Sequence, residues 1–367
     1  MTSRRQFLWL ASLAACRRRR STGFPGYAVV SSPQDRSVSV VDLDVFALAR
    51  RIPLPAPPRD VLAHPALPLA WVLSPEAGLL CELDLTRPGP ARQLRLARDA
   101  VAMRLDPQGQ TLWVLCRQPA QLLAVRTDRL ERIARIPLPG EPLDFDLARY
   151  DALAAVSLAA QGVAFVDLKT ARAAHPVVFG RRPGAIRFRS DGRLLLVGSA
   201  DEPMLSILDV PGGQLVVHLP LAVCPARFCF KPDGGQLFLT GPGADAVAIV
   251  YPYRTEVAET VLAGRSPADM AVSSQPEYLF VASPPTGDVN ILEIETRRVV
   301  AAAPVGEGVG PLAVTPDNQY VLALNCRAGA LAVVRIPATV SRRRRLASLV
   351  TVVPVGPQPA SLAVCHA

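Results

Sequence analysis

A landmark that recurs about every 42 residues, four strand-like runs within each recurrence, and 36 Pro with 24 Gly in 367 residues predict an all-β chain. The architecture that uses these features together is a single closed β-propeller, here of eight four-stranded blades. Pro and Gly at this density disfavour a helical bundle and favour short strands joined by turns. The chain is 50% hydrophobic and 19% charged, which provides an ample core and excludes disorder.

The period is read from two series. Unit starts fall at Pro58, Ala100, Pro142, Pro183, Pro225, Pro267, Val309 and Pro359, spaced 42, 42, 41, 42, 42, 42 and 50 residues. A second series, Asp42, Asp84, Arg126, Asp167, Asp209, Tyr251, Glu293 and Arg335, closes strand-like apolar runs on the same beat. The one long interval contains Ser341-Arg342-Arg343-Arg344-Arg345, a polar insertion expected between outer strands of the last full blade. Within a unit the predicted strands are Ala185 to Arg189, Leu194 to Gly198, Leu205 to Leu208 and Gln214 to Leu219, separated by Pro, Asp and Gly. Leu194-Leu195-Leu196-Val197 lacks polar alternation, as expected for a strand covered on both faces by neighbouring blades.

The ring should close on itself. The last unit starts at Pro359 and stops after one strand, whereas the first strands, from Tyr27 to Leu54, lack a preceding start. The C-terminus is therefore expected to supply the innermost strand of the N-terminal blade, removing a sheet edge that would otherwise invite aggregation. Seven blades is the alternative, should the unit at Ala100 or Pro359 be too degenerate to form one.

Residues 1–26 read as an address and 27–367 as the propeller. Ser3-Arg4-Arg5-Gln6-Phe7-Leu8 resembles a twin-arginine export signal, and Leu13-Ala14-Ala15-Cys16 resembles a bacterial lipobox. The apolar stretch Phe7 to Ala15 is too short to span a bilayer as a helix. The resemblance implies an exported periplasmic or cell-envelope protein, anchored to the membrane through Cys16 if that residue is acylated. The net charge of +9 contracts once dissected: Arg4, Arg5, Arg17 to Arg20 and Arg342 to Arg345 carry ten positive charges, leaving the rest near −1. Two short arginine clusters and 5% aromatics do not make a nucleic-acid surface. Neither the six other cysteines nor the four histidines show metal-ligand or haem-attachment spacing. The cysteines are read as buried thiols, and no metal or cofactor is expected.

Pro-x-x-x-x-(Phe/Val)-x-Pro-Asp-Gly, Leu279-Phe280-Val281-Ala282 and Val289-x-Ile291-Leu292-Glu293 resemble the YVTN-type β-propeller repeat proteins of bacteria and archaea. The resemblance covers nearly the whole chain after the signal. No Trp-Asp or kelch di-Gly pattern is present, so WD-repeat and kelch proteins are more distant.

The blade plan places two sets of candidate residues. One loop face should carry Arg59, Arg98, Arg117, Arg182, Arg265 and Arg327 among other charges, a cationic rim suited to carboxylate or phosphate groups. The innermost strands carry Asp60, Arg104, Asp144, Asp146, Arg187, Arg227 and Asp269 at alternate positions, expected to face the channel. These seven residues fit either a polar ligand site or Asp–Arg pairing between blades, because buried charge must be paired. No catalytic constellation, Gly-rich phosphate loop or nucleophile elbow stands out. The leading functional expectation is a non-catalytic, monomeric binding or scaffold protein of the cell envelope, its partner a protein, an envelope component or a small anionic ligand. A hydrolase resembling propeller lactonases is the alternative, with Asp144, Asp146, Arg187 and Arg227 as its candidate residues. A redox protein resembling haem-binding propellers comes third; His64 and His366 fall near the far ends of their inner strands, away from the expected site.

Overall fold

The computed structural model describes residues 23–87, 92–160, 162–336 and 347–366. The export-signal expectation, with Cys16, and the Ser341 to Arg345 insertion lie outside these residues. Eight four-stranded antiparallel sheets form the described chain, with no helix among them. Each sheet contacts the next through its innermost strand, and the ring closes between the last unit and the first. The blades are numbered here in chain order around the ring. Blade 1 has the strand order Ala47–Pro53, Ser37–Asp42, Gly26–Ser32, Ser361–His366, so the C-terminal strand is its innermost member, as expected. The innermost strands of blades 2 to 8 are Asp60–Ala63, Arg98–Leu105, Pro142–Leu147, Pro183–Phe188, Arg227–Phe230, Asp269–Val272 and Val309–Val314. Eight blades therefore form, and the degenerate units at Ala100 and Pro359 both contribute true inner strands.

The interior is not one core. It divides into eight apolar clusters, each built from the facing sheets of two adjacent blades. This explains the apolar runs read in the sequence. In Leu194–Ser199, Leu195 and Val197 pack toward blade 4 while Leu196 packs toward blade 6. A strand with a neighbour on each side has no solvent face, so alternation disappears. Alternation returns in the fourth strand of each blade: Glu131–Pro137 is mostly exposed, with Ile136 turned inward. Blade 4 has the shortest outer strand, Arg172–Ala173, extended only by an isolated bridge between Val163 and Val177.

Two turns set the geometry of the ring. Asp191-Gly192 and Asp233-Gly234 close the hairpins after the innermost strands, with Gly192 N–H donating to the Arg189 carbonyl and Gly234 N–H to that of Lys231, both at 2.8 Å. At the opposite end, the connection into each new blade repeatedly uses a glycine three residues before the unit start. Gly264, Gly306 and Gly356 have φ of 100°, 107° and 109°. At Gly264 a Cβ would lie 2.0 Å from Ser283 Oγ and 2.5 Å from Asn290 Nδ2, two atoms that hydrogen-bond each other. Ser283 Oγ also accepts the Arg265 N–H at 3.1 Å. Gly264→Ala is therefore expected to lower stability by about 1–3 kcal/mol, read as a shifted urea midpoint with an unchanged slope.

Candidate functional site

The direction of the innermost strands decides what reaches the channel mouth. Each begins at the face where the blades connect and runs toward the Asp-Gly hairpins. Side chains alternate, so positions two and four residues after the unit start face the axis at two successive levels. The first level reads Asp60, Ala102, Asp144, Ala185, Arg227, Asp269, Pro311 and Ser361 around the ring. All eight line a cavity of about 1100 Å³ that opens on the connecting face.

Five arginines and four aspartates line this cavity: Arg59, Arg104, Arg117, Arg187 and Arg227, with Asp60, Asp99, Asp144 and Asp269. The structure thus brings most of the predicted channel set together. Asp146 is the exception. It is absent from the cavity lining and accepts the Phe188 N–H at 2.8 Å. Burial pushes its carboxyl above the ordinary range, against the pull of Arg187 and Arg104.

Blades 3 to 5 form a wall whose charges satisfy each other. Asp144 accepts from Arg187 at 2.7 Å and from Arg104 at 3.3 Å. It also accepts the Ile186 N–H of the next blade at 3.3 Å. Arg104 further lies over the Phe145 ring, 5.6 Å from its centroid. Burial, then the neighbouring Arg187, lowers the Arg104 pKa.

A recurrent device underlies this wall. An innermost strand lacks a ladder partner on its channel edge, so its N–H groups need other acceptors. The preceding blade supplies them: Asp144 for Ile186, Asp146 for Phe188 and Asp269 for Leu312, the last at 2.9 Å. Between blades 1 and 2 a serine takes the role, with Ser361 Oγ accepting the Val61 N–H at 3.2 Å. Part of the polar set therefore has a structural duty. Its sequence signal was an acceptor side chain two residues after the unit start, or four in the case of Asp146.

The other half of the ring differs. Asp60 accepts the Ser361 hydroxyl at 3.0 Å and the Val61 N–H at 2.9 Å, and Asp269 accepts the Leu312 N–H. Every one of these donors is neutral. Burial raises both carboxyl pKa values, opposed by Ser361 and Val61 at Asp60 and by Leu312 and Arg227 at Asp269. Arg227 lies in blade 6, adjacent to Asp269 in blade 7 and across the ring from Asp60 in blade 2. Among the described residues, neither Arg227 nor Arg59 has a carboxylate within 4.0 Å.

Half of the expected cationic rim is paired with carboxylates, and the rim only partly joins the cavity. Arg117 bridges Asp99 and Glu141, both at 3.6 Å. Arg182 meets Asp201 at 3.4 Å, and Arg327 pairs with Glu307. Of the six predicted rim arginines, Arg59 and Arg117 line the cavity; Arg98, Arg182, Arg265 and Arg327 do not. Sequence reasoning missed Glu141 and Glu307 as the compensating charges, because each lies on a different loop from the arginine it meets.

Neither histidine nor cysteine lines the cavity. His64 sits at the far end of the blade 2 innermost strand, where its Nδ1 accepts the Ala66 and Leu67 N–H groups at 3.0 and 2.9 Å. Burial lowers its pKa, and it serves as a turn strut. His366 ends the C-terminal strand and packs edge-on against Phe24. The six described cysteines are free thiols, and burial pushes Cys229 up to about 12.

No family model matches the chain. The Seven-bladed beta-propeller protein Rv1057 of Mycobacterium tuberculosis is 24% identical over 135 residues, 36% of this chain and 34% of that protein. The match thus spans about a third of the relative's length. Among solved structures, the dihydro-heme d1 dehydrogenase NirN in complex with DHE superposes with a TM-score of 0.74 at 15% identity, over 96% of this chain and 78% of that one. Apo AztD from Citrobacter koseri gives 0.68 at 12% identity, over 92% and 97% of the two chains. A functionally unknown protein from Desulfotomaculum acetoxidans gives 0.60 at 15% identity, over 93% and 99%. At these identities the likeness is one of fold, and the chain is a β-propeller that closes with eight blades.

Proposed function

We propose that this chain is an exported YVTN-type propeller of the cell envelope, held at the membrane through Cys16, that binds a small ligand non-catalytically through an anionic group at the channel mouth. The observation that carries the binding reading is Arg227. It faces a cavity of about 1100 Å³ with no carboxylate within 4.0 Å among the described residues, in a ring where Arg104, Arg117 and Arg187 are all committed to aspartates or glutamates. Arg59, across the ring, is likewise uncommitted. A guanidinium presents a planar fork of donors that suits a carboxylate or phosphate.

The hydrolase alternative has weaker support. A general base must be free to take a proton, but Asp144 is held by two guanidinium groups and a backbone N–H. A haem reading would draw on the fold shared with NirN, but neither His64 nor His366 lines the cavity.

Titration calorimetry of the full chain with acetate and inorganic phosphate at low salt tests the proposal. Binding is expected for at least one of them. Arg227→Gln should weaken it by tenfold or more, the equivalent of losing a charged hydrogen bond of about 1.5–3 kcal/mol. Unchanged affinity in that variant, or no binding of either anion, would sink the reading.

A further inference from the structure

The two halves of the cavity wall differ in how their charges are satisfied. In blades 3 to 5 each charge meets an opposite charge: Arg104 and Arg187 converge on Asp144. Among the described charges that line the cavity from blades 6, 7 and 2, none does. Among the described residues, Arg227 has no carboxylate within 4.0 Å, and Asp60 and Asp269 have no Lys, Arg or His within 4.0 Å, their hydrogen bonds coming from backbone and hydroxyl groups. A carboxylate withdrawn from bulk water without a cation in contact is costly; burial raises the pKa of both, against the pull of Ser361, Val61, Arg104 and Arg227 at Asp60 and of Leu312, Arg227 and Met270 at Asp269. These three groups lie at one level of the ring, opposite in sign, around one open volume. Had the site evolved for an anion alone, the two unpaired carboxylates beside and opposite the guanidinium would oppose it.

We propose that the cavity recognises a ligand bearing both a carboxylate and an ammonium group, the carboxylate seated on Arg227 and the ammonium between Asp269 and Asp60. An ammonium brings three donors and one positive charge, which suits two acceptors whose present partners are all neutral. The wall of blades 3 to 5, whose guanidinium groups are already held by carboxylates, contributes shape and polarity. This inference rests on the anion-binding reading and adds a second recognition point to it.

Calorimetry of the full chain separates the two levels. The probes are glycine, 4-aminobutyrate and 6-aminohexanoate, each compared with the carboxylate and the amine of the same carbon count. At one length or more the amino acid should bind at least tenfold more tightly than either half. Asp269→Asn and Asp60→Asn should each remove most of that advantage while leaving carboxylate affinity intact or improved. Both variants keep a side-chain oxygen for the Leu312 or Ser361 donor, and unchanged circular dichroism and melting behaviour would show that the ring is retained. Acidification should erase the advantage at a pH above that expected for ordinary aspartates, because protonation removes the charge the ammonium needs. If carboxylates bind as tightly as amino acids at every length, the second recognition point is wrong and the anion site stands. If amines bind as tightly as amino acids and Arg227→Gln changes nothing, the site is cationic only, and both readings fail. If no probe binds, both readings also fail.

Discussion

Truncation after Gly356 is expected to abolish folding to a closed monomeric ring. The lost strand Ser361–His366 pairs with Gly26–Ser31 at six successive positions. Its side chains also serve two interfaces: Leu362 and Val364 pack between blades 8 and 1, while Ala363 and Cys365 pack between blades 1 and 2. Ladder hydrogen bonds at about 1 kcal/mol net each, together with that apolar burial, are a large part of a typical domain stability of about 5–15 kcal/mol. The damage extends beyond energy, because the Gly26–Ser32 strand would present a bare edge. Gel filtration should show aggregates, and circular dichroism should lose the cooperative melt. Residues 357–366 placed ahead of Phe24 through a short turn should restore both, since His366 already lies opposite Gly26. A truncated chain that stays monomeric with an unchanged melt would show that closure is dispensable.

Asp144→Ala should be the most damaging single substitution in the channel. It would leave Arg104 and Arg187 facing each other with no carboxylate in contact among the described residues, and the Ile186 N–H without its acceptor. Breaking a buried pair by removing one partner costs about 3–5 kcal/mol. Here the lower end applies, because the arginine side chains are 29% and 27% exposed. Asp144→Asn retains an acceptor and should cost less. A urea midpoint unchanged in Asp144→Ala would show that the triad contributes nothing net. Asp60→Asn offers a contrast: among the described residues no guanidinium lies within 4.0 Å of Asp60, so its loss should affect ligand preference more than stability.

Much of the fold was readable because a repeat makes each local signal recur. Pro183-Gly184-Ala185-Ile186-Arg187-Phe188 is weak evidence alone, but its echoes give the period and the closure, and the sheets at Ala100 and Pro359 settle the count at eight. The apolar run from Leu194 to Val197 announced a strand covered on both sides, and the clusters on either side of blade 5 show what covers it. The candidate site was only half readable. Alternation placed Asp60, Asp144, Arg227 and Asp269 toward the axis correctly, because strand period is a local property. It could not say that Asp144 would be shared by two arginines and Arg227 by none. Nor could it foresee that Glu141 would occupy Arg117 and Glu307 would occupy Arg327.

The amino-acid sequence by itself determined the period, the propeller architecture with eight or seven blades, its closure by the C-terminal strand and the side chains that face the channel two residues after each unit start. All of these follow from spacing along one chain. The tertiary structure alone decided which charges cancel. A charge is satisfied by whatever lies within about 4 Å, and in a closed ring those neighbours come from blades 40 or more residues away: Asp144 to Arg187, Asp144 to Arg104, Asp269 to Leu312. The cavity charges left over after that pairing, Arg227 with Asp269 in the next blade, and Asp60 with Arg59 across the ring, define the candidate site.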